Sequence, residues 1–169
     1  LRDLQASDAA WSVALLRYFR PSSALDSLRK AAPEERARMW KDFYRSTDPN
    51  SATQTNEALE IYFARLARAN LRFRDEGVQG WRTDRGEVLV RLGEPDEVFD
   101  ASPASEGRLI RWGYTGFQLV LYFVDETGFG RFRLSPASRA ELERPGFVRD
   151  VIEVAVRILV FVVDRGRSD

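Results

Sequence analysis

The stretch from Gly80 to Val98 constrains this 169-residue chain more than any other, because the chain reads helical before it and mostly as strands after it. It runs Gly-Trp-Arg-Thr-Asp-Arg-Gly, then Glu-Val-Leu-Val-Arg-Leu, then Gly-Glu-Pro-Asp-Glu-Val. Gly80 permits backbone conformations that a β-carbon opposes. Thr83 and Asp84 carry short side chains that bond nearby backbone amides and favour a turn, and Gly86 closes it. From Glu87 to Leu92 the residues alternate. Val88, Val90 and Leu92 fall on one face and Glu87, Leu89 and Arg91 on the other, which predicts a half-buried strand. Gly93 and Pro95 stop it, since proline removes a ladder donor and glycine costs ordering entropy.

Upstream, apolar residues recur at helical spacing. Leu4, Trp11, Leu15, Tyr18 and Phe19 predict a helix over residues 3–20, ended by Pro21. A short helix follows Ser22 and Ser23, with Leu25 and Leu28 as its apolar contacts. A third begins at Pro33, with Glu34 and Glu35 in the electropositive first turn and Met39, Trp40, Phe43 and Tyr44 on its apolar side. The fourth spans about Thr55 to Asp75. Thr55 is its expected cap, and Leu59, Phe63, Leu66 and Phe73 are its stripe. Asn70 interrupts that stripe, and a buried amide there needs a partner from a neighbouring loop. Arg65, Arg68, Arg72 and Arg74 read as a solvated face.

Downstream the period changes to two. Strands are expected at Glu97–Asp100, Arg108–Tyr114, Phe117–Val124 and Phe129–Leu134. Their connections are a polar loop over residues 101–107, a two-residue turn at Thr115-Gly116 and a turn at Asp125–Gly128. Consecutive strands with short turns make an antiparallel meander. Ser135-Pro136 then starts a short helix, serine as cap and proline at the first position. Val151–Val163 contains 13 residues, of which 8 are β-branched, favouring strand over helix. As a helix it would span only about 20 Å, short of a bilayer core of about 30 Å. As a strand it places Ile152, Val154, Val156, Ile158, Val160 and Val162 on one apolar face, which the domain or a second copy must cover. The expected fold is therefore α+β: N-terminal helices packed on an antiparallel meander sheet of about four to six strands. It forms a single domain over residues 1–169, with a helical half (1–76), a sheet half (77–134), and a short helix with an apolar C-terminal strand (135–169).

Composition narrows the function classes. Lys plus Arg is 26 and Asp plus Glu is 26, so no net field draws nucleic acid or an anionic membrane. There is no cysteine, which excludes disulfides, thiol catalysis and cysteine–metal sites. There is no histidine, the commonest general base near neutral pH and the commonest transition-metal ligand. Any catalysis rests on Asp, Glu, Lys, Tyr, Ser or Thr, and neither cofactor nor metal is expected. No membrane span is expected either. Leu1 is read as the start of a fragment or a processed chain, with export to the periplasm or cell surface as the favoured compartment.

The run Gly80-Trp81-x-Thr83-Asp84-Arg85-Gly86, followed by an apolar segment and Gly93-x-Pro95-Asp96, resembles the GWxTD domain family of bacterial proteins. Phe43, Asp48-Pro49, Asn56-Glu57, Tyr62, Arg65, Ala69-Asn70 and Phe73 resemble that family's lead-in helices. The resemblance covers about residues 35 to 135, and it implies a fold without implying an activity. Three constellations remain as candidate sites. Trp81, Asp84 and Arg85 together offer an indole face, a carboxylate and a guanidinium that could hold a small polar ligand or a peptide end. Against this stands a structural reading: Trp81 as core anchor, Asp84 as turn cap, Arg85 as a carboxylate's partner. The acidic set Asp48, Glu57, Glu94 and Asp96 matches no calcium loop and reads as turn and cap residues. The exposed sheet edge can accept a partner strand. The expected function is a non-enzymatic interaction module of a larger exported bacterial protein. Its partner is then a protein or the rest of a longer chain, and a homodimer through the C-terminal strand is a further expectation. The alternative is a small-ligand-binding protein or an atypical carboxylate-based enzyme at the Trp81-Asp84-Arg85 turn.

Overall fold

The computed structural model describes residues 15–19, 22–74, 78–101, 107–144 and 147. Of the helix expected over residues 3–20, residues 3–14 and 20 lie outside the described residues, as does the apolar segment 151–163. Two compact units make up the chain, Leu1–Phe63 and Ala64–Asp169, and helix α3 runs through the division.

The first unit contains α1 (Ser22–Lys30), α2 (Pro33–Thr47) and the opening turns of α3 (Glu57–Arg72). Pro33 occupies the first turn of α2, followed by Glu34 and Glu35, as the helix dipole favours. Trp40 stacks on Phe43 with ring centres 5.4 Å apart, and Phe43 meets Phe19 edge-on at 6.0 Å. The cap of α3 is Asn56, one residue after the expected Thr55. Its Oδ1 accepts from the Leu59 N–H at 3.0 Å, while its Nδ2 donates to the Tyr44 carbonyl and the Thr47 hydroxyl. Asn56 is buried, and these bonds satisfy its amide. The buried stripe of α3 is Leu59, Tyr62, Leu66, Ala69 and Phe73. Phe63, assigned to that stripe from sequence, points outward. Tyr62 takes the inner position, and its hydroxyl donates to the Leu15 carbonyl.

The second unit begins within α3. A 3₁₀ turn, Gly80–Arg82, leads into α4, Asp84–Leu92. The strand expected over Glu87–Leu92 is therefore a helix. Alternation misleads here because Val88, Leu89, Val90 and Leu92 are all buried, so neither face of the segment is wet. The punctuation is helical throughout. Thr83 caps the N-terminus, Asp84 and Glu87 lie in the first turn, and Arg91 lies in the last. Gly93 closes the helix with φ of 88°.

The sheet follows, with strands β1 (Glu97–Asp100), β2 (Arg108–Tyr114), β3 (Leu119–Asp125) and β4 (Arg133–Leu134). They form an antiparallel meander in the order β1-β2-β3-β4. This is an α+β fold, and its four strands sit at the low end of the expected range. The β2–β3 connection is a 3₁₀ turn, Thr115–Phe117, with Gln118 left-handed at φ 49°, so β3 starts two residues later than expected. β4 keeps only the last two residues of its expected span. Ile110, Trp112, Tyr114, Leu121 and Phe123 fill the inner face. The Trp112 ring centre lies 5.8 Å from that of Phe73, the residue after α3, and 4.8 Å from that of Phe123. Helix α5, Pro136–Leu142, is capped by Ser135, whose hydroxyl accepts from the Ser138 N–H. No described helix is long and apolar enough to cross a membrane.

Candidate functional site

The turn before α4 is built by close backbone approach. A Cβ on Gly80 would stand 2.2 Å from the Ala69 carbonyl oxygen of α3, and one on Gly86 would stand 1.8 Å from the Gly80 oxygen. Both positions therefore exclude any side chain, and the turn is pressed between α3 and the first turn of α4. Asn70 Oδ1 accepts from the Trp81 N–H at 3.2 Å, which gives that amide its loop partner. The Thr83 hydroxyl donates to the Gly80 carbonyl at 2.7 Å and accepts from the Gly86 N–H at 3.1 Å, so one side chain closes the turn and caps the helix.

Trp81 is 2% exposed. Its indole N–H donates to Gln79 Oε1 at 2.9 Å, and the Arg82 guanidinium lies 5.2 Å from the ring centre. Asp84, first residue of α4, turns toward β4 and α5. Its Oδ2 accepts from the Leu134 N–H at 2.6 Å, and its Oδ1 stands 3.2 Å from Arg139 and 3.9 Å from Arg133. Arg85 goes another way. Its guanidinium lies 4.3 Å from the Phe132 ring centre and 4.9 Å from that of Phe73, and it donates to the Gly130 carbonyl. The three candidate residues are thus neighbours in sequence whose side chains serve three different surroundings.

Asp84 belongs to a charged network that links α4 to α5. Arg139 donates to Glu87 Oε2 at 2.9 Å, and Glu87 Oε1 accepts from Arg91 at 3.0 Å. Arg91 also donates to the Leu142 carbonyl at the end of α5. These side chains are mostly covered, so solvent screens them less than an exposed pair. At the other end of α4, the half-buried Arg65 donates to the Arg91 carbonyl, where the helix dipole is negative. Burial lowers the Arg65 pKa below the ordinary arginine value. Gly93 leaves room for this guanidinium, since a Cβ there would stand 2.8 Å from it.

The acidic candidates are engaged locally. Asp48 accepts from the Asn50 N–H, Glu57 from the Thr53 hydroxyl and Asp96 from the Thr115 N–H. Glu94 pairs with Arg68 at 3.1 Å and Arg72 at 2.7 Å. Burial pushes the Glu94 carboxyl up, but the two arginine bonds outweigh it and hold it below its ordinary value. Among the described residues, no three acidic side chains stand where they could share a metal ion.

Asp125 was overlooked as a structural centre. At the end of β3 it is fully buried, and it accepts from the Thr127 N–H and hydroxyl, the Gly128 N–H and the Gly130 N–H. Burial pushes its carboxyl up, and the donors from Thr127, Gly130 and Gly128 more than reverse this, leaving it below its ordinary value. The signal was present as Asp-x-Thr-Gly, a turn whose aspartate bonds its own following backbone. What sequence did not show is that the loop wraps this carboxylate and buries it, while Glu126 to Phe129 stay exposed.

Comparison with known families gives a match to the model of the GWxTD domain over residues 7–123. Comparison with curated proteins and with solved structures gives no match. The signature residues Gly80, Trp81, Thr83 and Asp84 sit in the turn described above, and the match spans well over half the chain: the protein belongs to the GWxTD domain family.

Proposed function

We propose that this chain is a non-enzymatic interaction module of a larger exported bacterial protein, and that the open face of its sheet is the surface it uses. One observation carries the reading. The strand register places Phe99, Arg111 and Tyr122 in one row, with Glu97, Gly113 and Val120 in the next. Phe99 is 57% exposed, Val120 43% and Tyr122 41%, and the Arg111 guanidinium lies over the Phe99 ring. Aromatic residues and arginine on a largely apolar surface are the composition of an interface centre, and Glu97, paired with Arg111 at 3.1 Å, supplies a polar margin. A protein partner, or another part of a longer chain, fits this surface better than nucleic acid does, since the chain carries no basic surplus.

The engagement of the signature residues supports the same reading. The Trp81 indole, the Asp84 carboxylate and the Arg85 guanidinium are each held by protein groups. The test is a photo-crosslinking residue at position 122, introduced into the full-length protein in the cell that makes it. One discrete adduct, lost when Phe99→Ser is added, is the expected result. Labelling no stronger than from a crosslinker at the exposed Glu34 overturns it. A small molecule that copurifies on native mass spectrometry and is released by Arg85→Gln would instead favour a ligand site at Trp81, Asp84 and Arg85.

A further inference from the structure

We infer that the open face of the sheet takes an acidic segment of a partner protein, which lodges a large apolar side chain in the hollow over Gly113 and sets carboxylates against Arg111 and Arg133. This rests on the open-face reading and names the chemistry of its partner.

Gly113 lies inside β2, where glycine costs ordering entropy and leaves nothing to pack. Gly80 and Gly86 are required by backbone pressed against them. Gly113 has no such reason. Its backbone is not left-handed. A Cβ there would meet its nearest atom, Glu97 Cβ, at 3.5 Å, an ordinary contact. The register runs without offset, with Gly113 opposite Glu97 on β1 and Val120 on β3, so no bulge accounts for it. A glycine that its own strand does not need marks a place where another chain comes close. The missing side chain leaves a hollow on the open face. Exposed Val120 borders it, and exposed Phe99 and Tyr122 stand in the next row.

Charge selects the occupant. By register the described part of this face carries two guanidinium groups, Arg111 and Arg133, and one carboxylate, Glu97. Glu97 pairs with Arg111 at 3.1 Å. Arg133 meets the Asp84 carboxylate only at 3.9 Å, and that carboxylate stands closer to Arg139, at 3.2 Å. The Arg133 side chain is 68% exposed. A partner bearing carboxylates complements this surplus. Nucleic acid does not, because Glu97 beside the hollow repels phosphates. Successive rows of the face are about 7 Å apart along a strand. Arg111 lies one row from Gly113 and Arg133 two rows, through their partners Tyr122 and Val124. An extended partner segment therefore places its acids about two and about four residues from the apolar one.

The test pans the full chain against a random dodecapeptide library. Selected peptides are expected to share a large apolar residue with Asp or Glu about two to four positions away. They are expected to bind Gly113→Val at least about tenfold more weakly than the parent, and to lose affinity likewise for the Arg111→Gln, Arg133→Gln double variant. Gly113→Val is expected to melt at or above the parent's temperature by circular dichroism, since valine suits a strand better than glycine. If it folds poorly, Gly113→Ala takes its place; if both melt well below the parent, the fold itself needs the glycine and the inference is overturned. Peptides that bind the glycine variant as tightly as the parent, peptides without an acidic residue, or no selected peptide overturn it too. The adduct from position 122 separates this inference from the reading it rests on. An adduct that survives Gly113→Val overturns this inference alone, while a parent that gives no adduct overturns both.

Discussion

Asp84→Asn is the most informative single change, because it keeps the shape of the side chain and removes its charge. In the native protein this carboxylate accepts from a backbone N–H at 2.6 Å, faces Arg139 at 3.2 Å and starts a helix. A hydrogen bond to a charged group contributes about 1.5–3 kcal/mol, against about 1 kcal/mol for a neutral one. The helix N-terminus adds about 0.3–1 kcal/mol for a negative charge. The asparagine oxygen can still accept from Leu134, so the charge-dependent part alone is lost, about 1–3 kcal/mol in all. For a chain of this size that lowers Tm by about 3–10 °C at neutral pH. Asp84→Ala is expected to cost more, because the Leu134 N–H then has no acceptor. Thermal melting followed by circular dichroism reads both. A double-mutant cycle with Arg139→Gln is expected to show a coupling of about 0.5–2 kcal/mol. An Asp84→Asn protein that melts at the parent's temperature, with zero coupling to Arg139, would refute the reasoning. If it also lost ligand or partner binding, Asp84 would move from structure to function.

Two further predictions concern backbone approach and titration. Gly86→Ala is expected to abolish soluble folded protein, because its Cβ would stand 1.8 Å from the Gly80 oxygen; Gly116→Ala, with nothing within 4 Å, is expected to stay within about 0.5 kcal/mol of the parent in urea titration, and equal behaviour of the two variants would sink the close-approach argument. Asp125→Asn is expected to be less stable at neutral pH, and the deficit should depend on pH. The folded carboxyl is held below its ordinary value, so its stabilisation is complete above the unfolded pKa of about 4 and is lost as pH falls through the folded value. The gap in Tm between parent and variant should therefore close below about pH 4, and a gap that persists undiminished at about pH 2 contradicts the assignment.

The sequence by itself determined the α+β class, the order of the meander strands, and the helices whose punctuation is local. Pro33 with Glu34 and Glu35, and Ser135 with Pro136, act through groups a few residues away, so no distant part of the chain is needed to read them. The same holds for β2 and β3, where one face is buried and the other open, so a period of two survives in the residue pattern. Tertiary structure decided α4. Once Val88, Leu89, Val90 and Leu92 are all buried, hydrophobic period no longer distinguishes helix from strand, and the cap at Thr83 with the stop at Gly93 becomes the deciding signal. It also decided which residue of α3 faces inward. Tyr62 and Phe63 are both aromatic and adjacent, and only the acceptor at Leu15 and the ring of Phe19 select Tyr62. The signature turn shows the division most clearly. Its short polar residues announced a turn, but the partners of Asp84 lie about fifty positions away in β4 and α5, and Gly80 is required because Ala69 of α3 passes behind it. Such partners are brought together by packing, and no local pattern in the chain encodes where they meet.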